Sequence, residues 1–587
     1  MAQRRAEKRG VRGLVHRWVP GIELARNYER GWLPRDLAAG LSLTALLVPQ
    51  GMAYAELAGL PAVTGLYTTV VALFAYALLG PSPILVLGPD SALGPLIFAA
   101  VAAVVVVADD PADAVAAAGV LALFMGLISV ASGMTGLGRI AELLSKPARI
   151  GYLNGLAVVI FVSQLPKLFG FSVDANGLLE EAEAFVRGLA DGEAEPAAAL
   201  IGCGVIAIIL VLRRVAPRIP GVLVATVAAI AAVALLGLAA EIPVVGSLPE
   251  GFPSPSVPSA GTDQLAGLFA AALGMAFVSL ADTMALSRTL AADRGEEVDP
   301  DDELVALGGA NIAAAFFQGF PVSASSSRTF VAVSARARTQ VTGVVGAVAI
   351  MVVLVWGSGL LKDMPSSALA AIVITAALAL LDLGALRWLW EVRRSEFVLA
   401  IVAFLGVALV GVLEGIVVAV LLSLGNFIRR AWRPHDAVLG RIEGQKGYHD
   451  IERNNGAQTI PGLVIFRFDA PLFFANADHF RRRVRDALDA SDEPVQWLIL
   501  AAEPMNDVDT TGAESLGGVL DDLDDDGIAL AVAELKGPVI DRLVRYGLYD
   551  RIGESHFYPT LGRAIDGFVD TTGSDWVDWS DRPGRNT

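Results

Sequence analysis

An interruption in the second half of the chain holds the residues best suited to bind an anion. Residues 316–330 read FFQGFPVSASSSRTF, with a Gly and Pro break, an extended stretch and then a predicted helix start. Proline stops an incoming helix and suits the first turn of the next one. A helix start presents unpaired N–H groups and the positive end of its dipole, which favour an anion. Hydroxyls and one guanidinium supplement these groups, from Ser323, Ser325, Ser326, Ser327 and Arg328.

The first half of the chain contains a matching interruption. Residues 85–91 read LVLGPDS, a short β-like run followed by a Gly–Pro break and a helix start. A pair of such interruptions at corresponding places in two halves indicates the substrate site of a transporter, although packing kinks would also explain them. Asp90 is either the N-cap of the new helix or a titrating group in the site. Arg328 either binds the substrate or pairs with a buried acid.

Two further polar residues lie within apolar stretches. Asp282 is the only acid in residues 274–287, GMAFVSLADTMALS, and an acid inside a membrane indicates function. It would hold a proton, bind a cation or pair with Arg328. The hydroxyl shell that sodium would need is thin, so a proton or the pair with Arg328 is favoured. Gln50, at a Pro–Gln–Gly break, either donates its amide to the substrate or closes the kink with a hydrogen bond.

The composition indicates that the segments carrying these residues lie in a membrane. Of the 587 residues, 54% are apolar and only 18% are charged, and the mean hydropathy is +0.58. A single soluble domain or a disordered chain would be far more polar. With about 20 apolar residues per crossing, the sequence predicts about fourteen transmembrane segments. Arg and Lys concentrate after every second segment, which places both termini in the cytoplasm.

The last quarter of the chain is polar and acidic. Residues 434–587 contain 28 of the 61 acidic but only 15 of the 44 basic residues, and strand-like runs alternate there with helical ones, which predicts a cytosolic α/β domain. The predicted organisation is a cytoplasmic arm (1–33), a transmembrane domain (34–433), the α/β domain (434–570) and a tail (571–587). Thr510 and Thr511 precede a helix, where a threonine is commonly an N-cap.

Several function classes are excluded. The chain has one cysteine and five histidines, and the histidines all lie outside the apolar runs. We therefore expect no disulfide, no bound metal and no cofactor. No Gly-rich phosphate loop, HExxH motif or nucleophile elbow occurs, so we expect no enzyme activity. The basic N-terminal arm is not followed by the aromatic and basic pattern of a nucleic-acid-binding protein.

Three motifs resemble those of the sulfate permease (SulP) anion transporters. They are VPQGMAYAELAGLPAVTGLY (48–67), LGPDSAL (87–93) and FFQGFPVSASSSRT (316–329), and the C-terminal region resembles the STAS domain of the same family. The resemblance implies an α-helical polytopic membrane protein with a seven-plus-seven inverted repeat, divided into core and gate domains, and a cytosolic α/β STAS domain. It also implies a homodimer.

The resemblance assigns site residues by motif. Substrate binding falls on Gln50, Tyr54, Asp90, Ser91, Ala92, Ser325, Ser327 and Arg328. Ion coupling falls on Asp282 and Asp90, because an acid at position 90 resembles a bacterial subgroup in which proton coupling is plausible. In the STAS domain, Thr510 and Thr511 are the candidates for regulatory phosphorylation, and this domain would bind any cytosolic partner.

The sequence therefore predicts a secondary active transporter of a small anion in the cytoplasmic membrane. Sulfate is favoured over bicarbonate or a dicarboxylate, and a proton is favoured over sodium as the coupling ion. Alternating access would come from motion of the core against the gate. One alternative is a nucleobase permease on the same scaffold. Another is a membrane-anchored receptor that signals through the STAS domain.

Overall fold

The computed structural model describes residues 18–104, 111–137, 145–173, 175, 177–216, 219–294 and 298–577. The first 17 residues of the predicted N-terminal arm and the last ten of the predicted C-terminal tail lie outside this description. The chain forms two compact units, residues 1–423 and 424–587.

The first unit is helical. Eight of its described helices are long and apolar enough to cross a membrane, and three more are shorter but equally apolar. Its helices are α1 (Pro20–Asn27), α2 (Leu33–Leu57), α3 (Ala62–Leu79), α4 (Gly94–Val104), α5 (Pro111–Met134), α6 (Lys146–Leu168), α7 (Leu178–Asp191), α8 (Pro196–Val215), α9 (Gly221–Leu236), α10 (Leu265–Arg294), α11 (Pro300–Phe316), α12 (Ser326–Ser334), α13 (Val341–Trp356), α14 (Ser358–Leu361), α15 (Ser366–Leu380), α16 (Leu383–Val392), α17 (Arg394–Leu405) and α18 (Val412–Trp432), within which the boundary falls.

The helices agree with the predicted segment count. Among the described residues, seven main helices precede residue 237 and seven follow residue 264, when the short or peripheral α1, α7, α14 and α16 are set aside. Proline occupies the first turn of α2, α6, α8 and α11, where its missing N–H costs no hydrogen bond.

Packing divides these helices into two groups. In the core group, α11 packs against α3 and α5, α13 packs against α2 and α3, and α10 packs against α5 and α4. In the gate group, α6 packs against α15 and α17, and α8 packs against α9 and α15. Helix α2 joins the groups through contacts with α9 and α15. The core group contains both predicted interruptions.

The two interruptions meet in a two-stranded antiparallel ribbon. Strand β1 (Leu87–Gly88) pairs with β2 (Ser323–Ala324), with Leu87 opposite Ala324 and Gly88 opposite Ser323. The ribbon is extended on one side, because the N–H of Ser325 donates to the carbonyl of Val86 at 3.3 Å. Paired in this way, the irregular backbone satisfies its own polar groups in an apolar surrounding.

The second unit is an α/β domain, as predicted. Its six-stranded sheet has the order β4-β3-β5-β6-β7-β8, in which β3 runs antiparallel to its neighbours and β5 to β8 are parallel. Helices α19 to α22 cover one face and α23 covers the other. The elements are β3 (Asp436–Arg441), β4 (Tyr448–Asp450), β5 (Leu463–Phe468), α19 (Ala477–Asp489), β6 (Trp497–Ala501), α20 (Thr510–Asp525), β7 (Ala529–Ala533), α21 (Gly537–Arg545), α22 (Leu548–Ile552), β8 (Phe557–Tyr558) and α23 (Leu561–Thr572).

Candidate anion site

The guanidinium of Arg328 holds the two interruptions together. Arg328 lies in the first turn of α12 and is fully buried. Its Nη1 donates to the carbonyl of Pro89, and its Nη2 donates to the carbonyls of Gly88 at 3.2 Å and Ser323 at 3.4 Å. The planar fork of an arginine can reach several acceptors in fixed directions, which a lysine cannot do. Arg328 therefore braces the backbone of both breaks at once.

Asp90 has the capping role that its sequence allowed and also contacts Arg328. Its Oδ1 accepts a hydrogen bond from the N–H of Ala92 at 2.9 Å, which caps the turn that leads into α4. Its Oδ2 lies 3.8 Å from Nη2 of Arg328. The same carboxylate therefore caps the turn and contacts the guanidinium of Arg328.

A cavity of about 640 Å³ opens in front of the ribbon. Its wall contains eight of the nine predicted site residues of the membrane unit, Gln50, Tyr54, Asp90, Ser91, Ala92, Asp282, Ser325 and Ser327. Arg328 is the ninth and does not line the wall. Its Nη1 and Nη2 donate to the carbonyls of Pro89, Gly88 and Ser323, and its buried Nε has no hydrogen-bond partner among the described residues. Arg328 therefore lies behind the wall, where it braces the backbone that forms the site.

The start of α12 forms one end of the cavity. Ser325 is the N-cap residue, with extended backbone and no side-chain capping bond. Its Oγ lies 3.1 Å from the Oγ of Ser327, and both residues line the wall. The first N–H groups of a helix have no acceptor within it, so this end of the cavity combines hydroxyls, amides and the positive end of the helix dipole.

Polar atoms near the cavity remain without hydrogen-bond partners among the described residues. They are Gln50 Oε1, Tyr152 OH, Asp282 Oδ1 and Thr283 Oγ1, all of them buried. Leaving a buried polar atom unpaired costs about 1 to 3 kcal/mol. These atoms can therefore accept hydrogen bonds from, or donate them to, a polar ligand that enters the cavity.

The predicted pairing of Asp282 with Arg328 is wrong. Asp282 lies next to Arg149 of α6, whose Nε is 3.4 Å from Asp282 Oδ1. Arg328 is unavailable because it is held by the ribbon and by Asp90. In the sequence, Arg149 is one of the basic residues that indicate which segment ends are cytoplasmic. Its distance from Asp282 along the chain does not indicate that the two side chains are in contact.

Sequence reasoning also missed a buried carboxylate in the core group. Glu303 of α11 is fully buried and accepts hydrogen bonds from the hydroxyls of Tyr76, Ser82 at 2.9 Å and Ser287 at 3.0 Å. The network ties α3, α10 and α11 to the segment that leads into β1. Glu303 follows two aspartates in the sequence, a pattern more typical of a solvent-exposed helix start.

In the α/β unit, Thr510 and Thr511 are exposed in the first turn of α20. The expectation that a threonine caps this helix is wrong. The N-cap is Asp509, whose Oδ1 accepts from the N–H of Gly512 at 2.7 Å and whose Oδ2 accepts from the N–H of Phe474 at 2.9 Å. A carboxylate can accept two bonds at once, and the two threonine side chains are left at the surface.

Comparison with known proteins agrees with this architecture. Residues 33–403 match the Sulfate permease family, and residues 456–564 match the STAS domain. A protein of Mycobacterium tuberculosis named "Probable sulfate transporter" is 41% identical over 552 residues, which cover 94% of this chain and 98% of that protein. An Arabidopsis thaliana protein named "Probable sulfate transporter 4.2" is 30% identical over 554 residues, covering 90% of this chain and 80% of that protein.

Solved structures share the fold. Murine solute carrier 26 family member A9, an anion transporter captured in the inward-facing state, superposes with a TM-score of 0.88 and 23% identity, covering 96% of each chain. The transmembrane domain of a cyanobacterial bicarbonate transporter superposes with a TM-score of 0.57 and 22% identity, covering 68% of this chain and 97% of that one.

Proposed function

The chain belongs to the sulfate permease family, and from this premise we propose that it is a proton-coupled secondary active transporter that carries a small anion, sulfate first, across the cytoplasmic membrane. The family consists of multi-pass membrane transporters rather than enzymes, and this chain is an anion transporter of that kind. The choice of sulfate, the proton and the transport cycle are the parts that we propose.

One observation supports the proposal above the others. The two helix interruptions meet at the β1–β2 ribbon, and the start of α12 and the turn into α4 line one cavity. Paired half-helix starts offer amides, hydroxyls and positive dipole ends to a negatively charged substrate. The bracing of Arg328 by three carbonyls keeps these groups in place before the anion arrives.

The chemistry of the wall supports an oxyanion. Hydroxyl and amide donors suit the several acceptor oxygens of sulfate, bicarbonate or a carboxylate. Relatives from Mycobacterium and Arabidopsis are named as probable sulfate transporters, and we therefore put sulfate first in the proposal. A structural neighbour is named as a bicarbonate transporter, which keeps bicarbonate in the test, and a dicarboxylate remains in it on the same chemistry.

The open cavity supports alternating access. Its wall extends to Arg149 near the start of α6, to Arg213 near the end of α8 and to Leu380 at the end of α15. Those helix ends are cytoplasmic under the positive-inside rule, with both termini inside. The cavity therefore faces the cytoplasm, and motion of the core group against the gate group would expose it to the other side.

Asp282 is the proposed carrier of the coupling proton, with Asp90 as the alternative. Asp282 lines the cavity and has one unpartnered oxygen, whereas Asp90 is held by an amide and by Arg328. We also propose that the chain works as a homodimer.

The exposed Thr510 and Thr511 are the proposed phosphorylation sites through which the STAS domain would respond to a cytosolic partner.

Uptake into proteoliposomes tests the proposal. The purified chain is reconstituted and supplied with labelled sulfate, bicarbonate or succinate, with and without an inward proton gradient and with and without sodium. The proposal predicts sulfate uptake that rises with the proton gradient and does not need sodium. Uptake that Asp282→Asn leaves with unchanged pH dependence would show that Asp282 does not carry the proton.

The same preparation separates the alternatives. Uptake of labelled uracil, with no uptake of any anion, would identify a nucleobase permease. A complete lack of flux, together with ligand-dependent binding of a cytosolic protein, would identify a receptor.

A further inference from the structure

Two acid–arginine pairs lie at the cavity, and they differ in how firmly they are held. Arg328 is fully buried and donates to three backbone carbonyls in addition to its contact with Asp90. Arg149 lies on the cavity wall with a side chain 39% exposed, and the side chain of its partner Asp282 is 22% exposed. Asp282 Oδ1 is 3.4 Å from Arg149 Nε but accepts no hydrogen bond. The second pair is therefore a loose contact between charges.

The loose pair also spans the two helix groups. Arg149 belongs to α6 of the gate group, and Asp282 belongs to α10 of the core group. The half-helix starts that carry Ser91 and Ser327 belong entirely to the core group. Arg149 is thus a cation that faces these starts from the other side of the cavity, on helices that would move relative to them.

The charges around the cavity favour an exchange of partners at the helix starts, and Arg213 near the end of α8 is the further arginine of the wall. With both pairs formed, Asp90 and Arg328 balance each other, as do Asp282 and Arg149. An anion that entered would then meet two carboxylates and no available guanidinium from these pairs. The groups that act electrostatically on Asp282 are Arg149 and Tyr152 of α6 and Asp90 before α4. Of these, only Arg149 is a cation, and it can leave without breaking a hydrogen bond to Asp282 Oδ1.

We propose that Arg149 is a substrate-contacting residue that Asp282 holds in the empty cavity and that transfers to the anion when the anion binds. A proton on Asp282 replaces the lost guanidinium, so that proton binding and anion binding favour each other. The inference rests on the proposed function, because it assigns a further contact and a coupling step to the same site. It differs from a structural ion pair, in which loss of either partner would damage the site in the same direction.

Equilibrium binding to the purified full-length protein tests this exchange. Labelled sulfate, the probe, is titrated at two pH values against wild type, Arg149→Ala, Asp282→Asn and the double variant. Arg149→Ala should weaken sulfate binding roughly tenfold or more, since it removes a charge-assisted contact. Asp282→Asn should bind sulfate at least as tightly as wild type and lose the dependence on pH. The double variant should match Arg149→Ala, because the acid acts only through the arginine.

Matched controls accompany these variants. Arg214→Ala removes an exposed arginine at the end of α8, and Asp113→Asn removes an exposed aspartate at the start of α5. Both should bind as wild type. Thermal unfolding in detergent identifies any variant that has lost its fold, and Arg149→Lys, which keeps the charge, should restore part of the binding if Arg149→Ala unfolds.

The outcomes separate the inference from the proposed function. If wild type binds sulfate but Asp282→Asn weakens binding as much as Arg149→Ala does, the pair is structural and the exchange is wrong. Wild-type affinity in Arg149→Ala would also overturn it while leaving the proposed function intact. If wild type binds neither sulfate, bicarbonate nor succinate, the proposed function fails and the exchange falls with it.

Discussion

Arg328 and Asp90, which come from opposite halves of the chain, lie 3.8 Å apart at one cavity, with Asp90 in its wall and Arg328 behind it. The arginine also donates to backbone carbonyls on both sides of the β1–β2 ribbon. Each half of the membrane unit therefore supplies one member of the brace that fixes the helix starts. A site built in this way depends on its backbone geometry, which the first two predictions address.

Gly88→Ala should impair transport. The Cβ of an alanine at this position would lie 2.9 Å from Nη1 of Arg328, a distance shorter than Cβ atoms show to their neighbours in real proteins. The φ of Gly88 is 158°, a backbone conformation that other residues rarely adopt. The guanidinium must then shift away from the ribbon carbonyls. We expect sulfate uptake in proteoliposomes to fall roughly tenfold, the equivalent of one weakened charge-assisted hydrogen bond. Gly204→Ala is the control, since nothing lies within 4 Å of its new Cβ, and equal uptake in both variants would refute the prediction.

Arg328→Lys should be at least as damaging as Gly88→Ala although the charge remains. A single ammonium cannot reproduce the fork that reaches Pro89, Gly88 and Ser323. We expect uptake to fall by more than tenfold and the unfolding temperature in detergent to drop. Full activity in this variant would show that Arg328 contributes only its charge, and the bracing role would be wrong.

Asp36→Asn should destabilise the membrane unit. The carboxylate of Asp36 in α2 is fully buried and accepts hydrogen bonds from the segment around the start of α13 and from the residue that follows α1. The donors are Arg338 N, Thr339 N, Thr339 Oγ1, Thr342 Oγ1 and the hydroxyl of Tyr28. An asparagine would turn an NH₂ group toward donors. We expect a loss of about 2 kcal/mol or more, measured as a lower unfolding temperature, whereas the exposed Asp113→Asn should leave it unchanged.

The carboxyl of Glu181 should make the local stability of α7, which lies outside the transmembrane helices, depend on pH. Burial raises the pKa of its carboxyl from 4.5 to about 7, so the folded form favours the protonated acid. The local stability of α7 should therefore fall as the pH rises from about 4.5 to about 7 and stay constant above that. Hydrogen exchange of the α7 amides, corrected for intrinsic rates, measures this change. Glu181→Gln should abolish it and Glu193→Gln, at an exposed position, should not; a profile unaffected by Glu181→Gln would contradict the assignment.

Much of the site could be predicted from the sequence because it depends on local signals. The Gly and Pro breaks, the serine cluster and the lone acid Asp282 are each visible within a few residues, and the structure brings them to one cavity. The helix count follows from the length of apolar runs. The ribbon between β1 and β2 was foreseen only as two separate breaks, since strands of two residues carry no pairing signal.

The remaining features depend on contacts between distant segments. Arg149 of α6 meets Asp282 of α10 through a side-chain contact between the two helix groups, and no spacing in the sequence records that contact. Arg328 was expected at the cavity surface. Its guanidinium is instead directed at the carbonyls of Pro89 and Gly88 in the other half of the chain, a contact that the sequence does not record. Glu303 was missed for the same reason, since its three hydroxyl partners come from three different elements.

The position of the bound anion tests the central claim most directly. Cryo-electron microscopy maps of the full-length protein are compared with and without a saturating concentration of sulfate. The account predicts tetrahedral density at the paired helix starts, between Ser327 and Ser91, together with movement of the Arg149 side chain away from Asp282. Density elsewhere, or an unchanged cavity at a sulfate concentration that saturates uptake, would contradict it.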